Sequence, residues 1–355
     1  MYWTRLLRWL GLLPPATPLP SAEVLKIQLD ALVDLAEKGE IHTAVSQARR
    51  LKMQAPTDVE VLQLLVDLLI QSDQPGEAAD ILEEILTLQP SSNTHFGQLA
   101  DLYLDLERPQ RVIELATARV ENFPEARLWL SDAWLMAGQG NRALEVVREF
   151  IALDPEDHRG LTQLGSIHFR LLDYTAASQA LGLALERDPH NADGWWTLGL
   201  VRERLGDDEG AREALEQARE LDPATYPSEQ TLYASDIETL AETIILALPD
   251  RLRHYLVNVP ISVEELPSDD DLRSSDPPFP PDLLGLFRGP NLRESHPDQP
   301  VSGGLPAEIV LFRRNLARLC CDQEELMEEV RITLEHEIAH YLGLNEEEVA
   351  ALGLE

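Results

Sequence analysis

Apolar side chains recur at three- and four-residue spacing through most of this chain, the period of helices buried along one face. Over residues 158–223 the pattern repeats. Leu161, Leu164, Gly165, Ala177, Leu181 and Ala184 precede Pro189, and Trp195, Leu198, Gly199, Ala211, Leu215 and Ala218 stand at matching offsets before Pro223. Each unit reads as two helices that cross closely, with a small residue at the contact (Gly165 on the first helix, Ala177 on the second) and large residues beside it. The proline ends the second helix and turns the chain into the next unit. Prolines carry the period further back. Pro56, Pro90 and Pro124 are 34 residues apart, and Pro155, Pro189 and Pro223 are 34 apart again after one step of 31. A period of this length predicts a solenoid of about six helical pairs.

These units resemble the tetratricopeptide repeat family over roughly residues 25 to 223. The last two units match well. The unit ending at Pro155 matches through Trp134, Ala143, Val147 and Phe150, and the first three are degenerate, with Val112 where the family usually has alanine. The resemblance implies an all-α superhelix whose concave face binds peptides or helices of partner proteins. A rigid spacer or a dimerisation arm is the alternative use of such an array.

After Pro223 the period stops. Residues 234–256 read as a helical stretch with Ile237, Leu240, Ile244 and Leu248 on one stripe. Residues 257–266 alternate like a strand, 267–281 are loop rich in proline and acid, and 283–291 read as a short strand and turn. Glu308 to Arg313 is the best strand. Residues 322–344 then form a long helix that starts at an Asp322 cap with Glu325 three residues on. The organisation predicted is an N-terminal amphipathic segment (1–20), a repeat array (21–224) and a small α+β domain (225–355).

The long helix carries the chemistry. Met327, Val330, Leu334, Ile338 and Tyr341 form its apolar stripe, and His336 and His340, four apart, stack on the far side with Glu337 at the edge between them. One flank is thus buried while two imidazoles are presented along another. Catalytic zinc takes three protein ligands and leaves one position open. His336 and His340 supply two neutral imidazoles on successive turns. Glu337, near the open position, can take a proton from the attacking water and pass it to a leaving amine. This is the HExxH arrangement of metalloproteases. Gly343 can end the helix in a left-handed turn and fold Glu346 back towards the metal.

The whole string HExxHxxGxxE resembles the extended metzincin motif, with Glu346 where those enzymes usually have a third histidine. The chain from 228 to 355 resembles the minimal zincin-like metallopeptidases of bacteria. That resemblance is carried by VEELPSDDDL, LLGLFRG, LPAEIVLFRRNL and the motif itself. It implies His336, His340 and Glu346 as zinc ligands and Glu337 as general base; Glu347 and Glu348 are possible substitutes for Glu346. It also implies an edge strand that pairs with extended peptide substrate, for which Glu308 to Arg313 is the candidate. Arg313 and Arg314 serve either that strand or the surface. The remaining histidines, His168, His190, His254 and His296 among them, read as surface or repeat-packing residues.

Charge and cysteine content narrow the partners. The 355 residues carry 29 Lys and Arg against 63 Asp and Glu, a net charge of −34. Such a surface repels phosphate backbones and anionic headgroups, so nucleic acid is excluded and basic or neutral polypeptide and metal cations are favoured. The same acidity keeps a helical protein soluble. The two cysteines, Cys320 and Cys321, are adjacent and do not bridge, which places the protein in a reducing cytoplasm. They read as buried thiols, with a redox or inhibitory zinc-binding role as the alternative. No apolar run reaches membrane-spanning length. In residues 1–13, Trp3, Leu6, Leu7, Leu10 and Leu13 line one face against Arg5 and Arg8, a pattern for packing on the array rather than for a signal or a membrane surface.

The function expected is a zinc-dependent peptidase that hydrolyses peptide bonds with metal-activated water and is recruited to protein partners or substrates by its repeats. The rival is a non-catalytic repeat adaptor whose metal only staples a small domain. Three obvious protein ligands, with room for water, favour catalysis; a fourth from Cys320, Cys321 or His296 would favour the staple.

Overall fold

A computed structural model describes residues 22–226, 233–248, 253–254, 256, 259–292, 307–319, 322–345 and 348. The N-terminal segment 1–20, His296, the cysteines Cys320 and Cys321, and the acids Glu346 and Glu347 lie outside the described residues. The chain divides into two compact units, Met1–Phe150 and Ile151–Glu355.

The first unit is a run of helical pairs: α1 (Ala22–Glu37) with α2 (Ile41–Gln54), α3 (Val59–Gln71) with α4 (Pro75–Leu88), α5 (Asn93–Asp105) with α6 (Pro109–Thr117), and α7 (Ala126–Met136) with α8 (Gly140–Leu153), whose last residues belong to the second unit. Side-chain caps start two of them. Asp58 accepts from the amides of Glu60 and Val61, and Ser92 from that of His95. Leu62, Leu65, Leu69, Leu82 and Ile85 are fully buried between pairs, and Phe96 meets Trp129 edge-on at 5.6 Å.

The second unit opens with two further pairs, α9 (His158–Arg170) with α10 (Tyr174–Arg187) and α11 (Ala192–Arg204) with α12 (Asp208–Leu221). Here the small-residue contact is visible. A Cβ added at Gly165 would lie 2.5 Å from Leu181 Cγ, and one at Gly199 would lie 2.6 Å from Leu215 Cγ. The repeat period therefore sets how closely the helices of a pair approach. Among the described residues no helix is long and apolar enough to cross a membrane.

The rest of the second unit is built on a three-stranded sheet. After α13 (Ala234–Ala247) come β1 (Ile261–Glu264), the short α14 (Asp269–Leu272), β2 (Gly285–Arg288), β3 (Glu308–Phe312), α15 (Arg313–Leu319) and α16 (Gln323–Tyr341). The strand order is β1-β3-β2, with β1 parallel and β2 antiparallel to β3. β3 is therefore central, and the expectation that residues 308–313 form the edge strand is corrected: among the described residues β2 is an edge. Residues of β3 alternate between faces. Ile309 and Leu311 pack with Ile237, Ile244, Leu334 and Ile338 of α13 and α16, whereas Val310 and Phe312 pack with Leu286, Phe279 and Leu283. Both faces of β3 are covered, which suits a central strand.

Candidate metal and catalytic site

Helix α16 is fixed at both ends. Asp322 caps its start, accepting from the amides of Glu324 and Glu325. At its end Gly343 has φ +89°, its amide donates to His340 O, and the Leu344 amide donates to Ala339 O. This left-handed closure ends the helix where the glycine predicted it. The buried face runs through Leu326, Val330, Thr333, Leu334, Glu337, Ile338 and Tyr341. Met327, expected on the stripe, is 39% exposed, and Leu326 takes the inward position one residue earlier.

The structure brings three of the predicted site residues together. His336 Nε2 and His340 Nε2 lie 2.9 Å apart, with the rings edge-on at 4.6 Å between centroids. His340 Nδ1 is 3.2 Å from Leu344 O, the carbonyl returned by the Gly343 turn. A carbonyl only accepts, so Nδ1 carries the hydrogen and the lone pair of Nε2 faces His336. Glu337 is only 6% exposed, and its Oε2 accepts the backbone amide of Phe287 at 2.6 Å. The contact joins α16 to the backbone of β2, an edge strand among the described residues.

These side chains form one wall of a cleft of about 600 Å³, with Gly285, Phe287, Phe279 and Ser275 opposite. Gly285 makes the approach possible. A Cβ there would lie 2.7 Å from Thr333 Cγ2 and 3.2 Å from Glu337 Cγ. Reading the sequence alone missed Phe287 and Gly285 as parts of the site. The signal available was a glycine inside a short apolar strand, which marks a close approach of backbone to a neighbour.

Two imidazoles bound tetrahedrally to zinc at about 2.0–2.1 Å place their nitrogens about 3.3 Å apart. The observed pair needs to open by only a few tenths of an ångström, so the donor set fits two positions of such an ion. Among the described residues no group of three His, Cys, Asp or Glu side chains is assembled to hold a metal. Glu346, expected as the third ligand, lies outside the described residues. Glu348 is engaged with the chain beside it: its carboxylate accepts the Asn345 amide at 3.0 Å, while its own amide donates to Asn345 Oδ1 at 2.9 Å.

Two family models match the chain. Residues 97–158 and 162–224 match the tetratricopeptide repeat, and residues 256–354 match the family described as zincin-like metallopeptidase. The chain is a repeat array followed by a zincin-like domain. The second match contains the whole α16 site. No curated protein matches the chain. Among solved structures, a tetratricopeptide repeat protein from Parabacteroides merdae is similar at 14% identity and TM-score 0.48, covering 62% of this chain and 84% of its own. A thermophilic tetratricopeptide protein of Thermus thermophilus is similar at 20% identity and TM-score 0.40, covering 45% of this chain and 89% of its own.

The zincin-like domain is joined to the last two repeat pairs by charge as well as by chain. Glu203 on α11, its side chain 5% exposed, accepts from Arg314 at 2.6 Å and from Arg318 Nη1 at 2.8 Å, both on α15. Burial pushes the Glu203 carboxyl up, but the hydrogen bonds and charges of Arg318 and Arg314 outweigh it and hold the group below its ordinary value. Arg313 and Arg314 also bind Glu265, whose carboxyl they depress to about 2, mainly through the Arg313 hydrogen bond. Arg314 and Arg318 are structural ties to the repeats, whereas Arg313 pairs at the surface with Glu265.

Proposed function

We propose that this protein is a zinc-dependent peptidase whose repeats engage a protein partner or substrate. The observation that carries the reading is the placement of Glu337: a buried carboxylate in an open cleft, next to two imidazoles whose nitrogens already converge. His336, His340 and Glu346 would hold the ion. A zinc ion held there supplies a water of near-neutral acidity and polarises the scissile carbonyl.

The chain's own groups do the rest. Glu337 accepts the proton of the attacking water and returns it to the departing amine. The Phe287 amide supplies the donor that a buried carboxylate needs and fixes which oxygen faces the cleft. An extended peptide would lie along β2, an edge strand among the described residues, held by backbone pairing. The apolar walls at Phe279, Leu283 and Leu286 would take an apolar side chain beside the scissile bond. The repeat array supplies the surface on which tetratricopeptide proteins bind polypeptide.

The test is zinc analysis together with cleavage of a peptide library, comparing the natural chain with Glu337→Gln. The expected result is unchanged zinc content and loss of cleavage by about 10²–10⁴-fold. Equal cleavage by both would refute the assignment of Glu337, and zinc without cleavage in either would leave the ion as a staple.

A further inference from the structure

The wall of the cleft opposite α16 is not built by the zincin-like domain alone. Residues 265–284 leave β1, pass through α14 and return as β2, and along the way they enter the repeats. Leu272, fully buried, packs in the same core as Phe169, Tyr174, Leu181 and Leu198 of α9, α10 and α11 and Leu172 of the turn between α9 and α10. Arg204, the last residue of α11, donates through Nη1 to Pro267 O at 2.5 Å and through Nη2 to Pro281 O at 3.1 Å. One guanidinium thus grips the excursion near both of its ends. Tyr174 donates to Asp269 at 3.3 Å.

The same segment reaches the cleft. Phe279 packs against the repeat core on one side and against the Leu286, Val310 and Phe312 cluster on the other, and it lines the cleft with Ser275. The Phe279 amide donates to Leu272 O at 2.8 Å, so the residue seated in the repeats and the residue facing the cleft are tied to one another. Arg288 completes the link. It binds both oxygens of Asp271 on α14, at 2.8 and 2.7 Å, and both oxygens of Glu264, at 2.7 and 3.0 Å. The end of β2, one residue from the amide that holds Glu337, is thereby anchored to the segment that the repeats hold.

We propose that the last two repeat pairs are a structural part of the substrate cleft, with Arg204 a positioning residue that seats the 265–284 segment and so sets the place of Phe279 and β2. The repeats then fix the peptide-binding wall as well as recruiting a partner. The effect on cleavage rests on the peptidase reading, but the seating itself does not.

The experiment uses the full chain and the variants Arg204→Ala, Arg204→Lys and Leu272→Ala. Hydrogen exchange is followed in 266–288, in β3 and in α3–α6, and peptide cleavage is resolved into kcat and KM. In Arg204→Ala we expect exchange in 266–288 to rise about tenfold with β3 and α3–α6 unchanged. KM should rise several-fold with kcat held within about twofold, the mark of lost binding geometry rather than lost chemistry. Arg204→Lys keeps the charge but cannot reach both carbonyls, and should fall between. Leu272→Ala should loosen the same segment from inside the repeats. Unchanged exchange in both Arg204→Ala and Leu272→Ala overturns the proposal. Faster exchange in a chain that cleaves nothing supports the seating and removes the peptidase reading instead.

Discussion

The backbone amide of Phe287 and the carboxylate of Glu337 meet at 2.6 Å, joining an edge strand to the helix that carries both histidines. The contact exists because Gly285, two residues before Phe287, lets β2 lie against α16 at Thr333. A methyl group at Gly285 has nowhere to go without moving the strand. Gly285→Ala should therefore cost about 1–3 kcal/mol of stability in denaturant titration, the usual range for overpacking. It should also lower peptide cleavage by more than about tenfold, because the amide withdraws from Glu337. Full stability with full activity would mean that the strand has slack the geometry does not suggest.

Gly343 is a second backbone dependence. Its φ of +89° suits glycine, and the turn it makes delivers Leu344 O to His340 Nδ1. Gly343→Ala should destabilise the chain by about 1 kcal/mol. Zinc affinity should drop about 10–100-fold, the cost typical of losing the partner that orients a ligand histidine. Competitive chelator titration measures the affinity. Gly343→Asn, which tolerates the left-handed region better, should lose less of both.

The ligand set can be read from metal content. His336→Ala and His340→Ala should each abolish stoichiometric zinc, and Glu346→Ala should weaken it. Glu348→Ala should not, because that carboxylate is engaged with the Asn345 amide. Retention in Glu346→Ala with loss in Glu348→Ala would reassign the third ligand.

Acid should loosen the second unit through Glu203. A carboxyl held below its ordinary value contributes stability that is complete above the unfolded value, about 4.3, and is lost as pH falls through the lower folded value. The same sign applies to Glu265, depressed to about 2. Thermal melts from pH 7 to pH 3 should show a decline beginning near pH 5, and Glu203→Gln should flatten it. At neutral pH that variant should lose on the order of 3 kcal/mol, since Arg318, nearly buried, would be left without the carboxylate it faces, while Arg314 keeps Glu265. A wild-type pH profile in the variant would move the acid sensitivity elsewhere.

Local features were legible and pairings between distant segments were not. The repeat period and the Gly165 and Gly199 contacts follow from spacing, because both helices of a pair lie within one 34-residue window. The Asp322 cap, the Gly343 turn and the facing of His336 and His340 are likewise properties of one helix. The place of β3 in the sheet depends on which strands flank it. Its run Ile309, Val310, Leu311, Phe312 leaves no solvent face, a sign of a central strand that was available and went unused. Glu203, Arg204 and Leu272 could not be picked out. A glutamate and an arginine at the end of a repeat helix look like solvent-facing charge until the arginines and carbonyls more than 60 residues later are brought to them.

The Glu203 ties to Arg314 and Arg318 bear on how such a chain could be recombined. A chimera that exchanges the whole array up to Pro223 would strand Arg318, leave Arg314 with Glu265 alone, and unseat the loop at Leu272. One spliced ahead of His158 would carry α9 to α12 along with their client and keep every one of these bonds. The inheritable cassette is therefore the zincin-like domain plus its two nearest repeats.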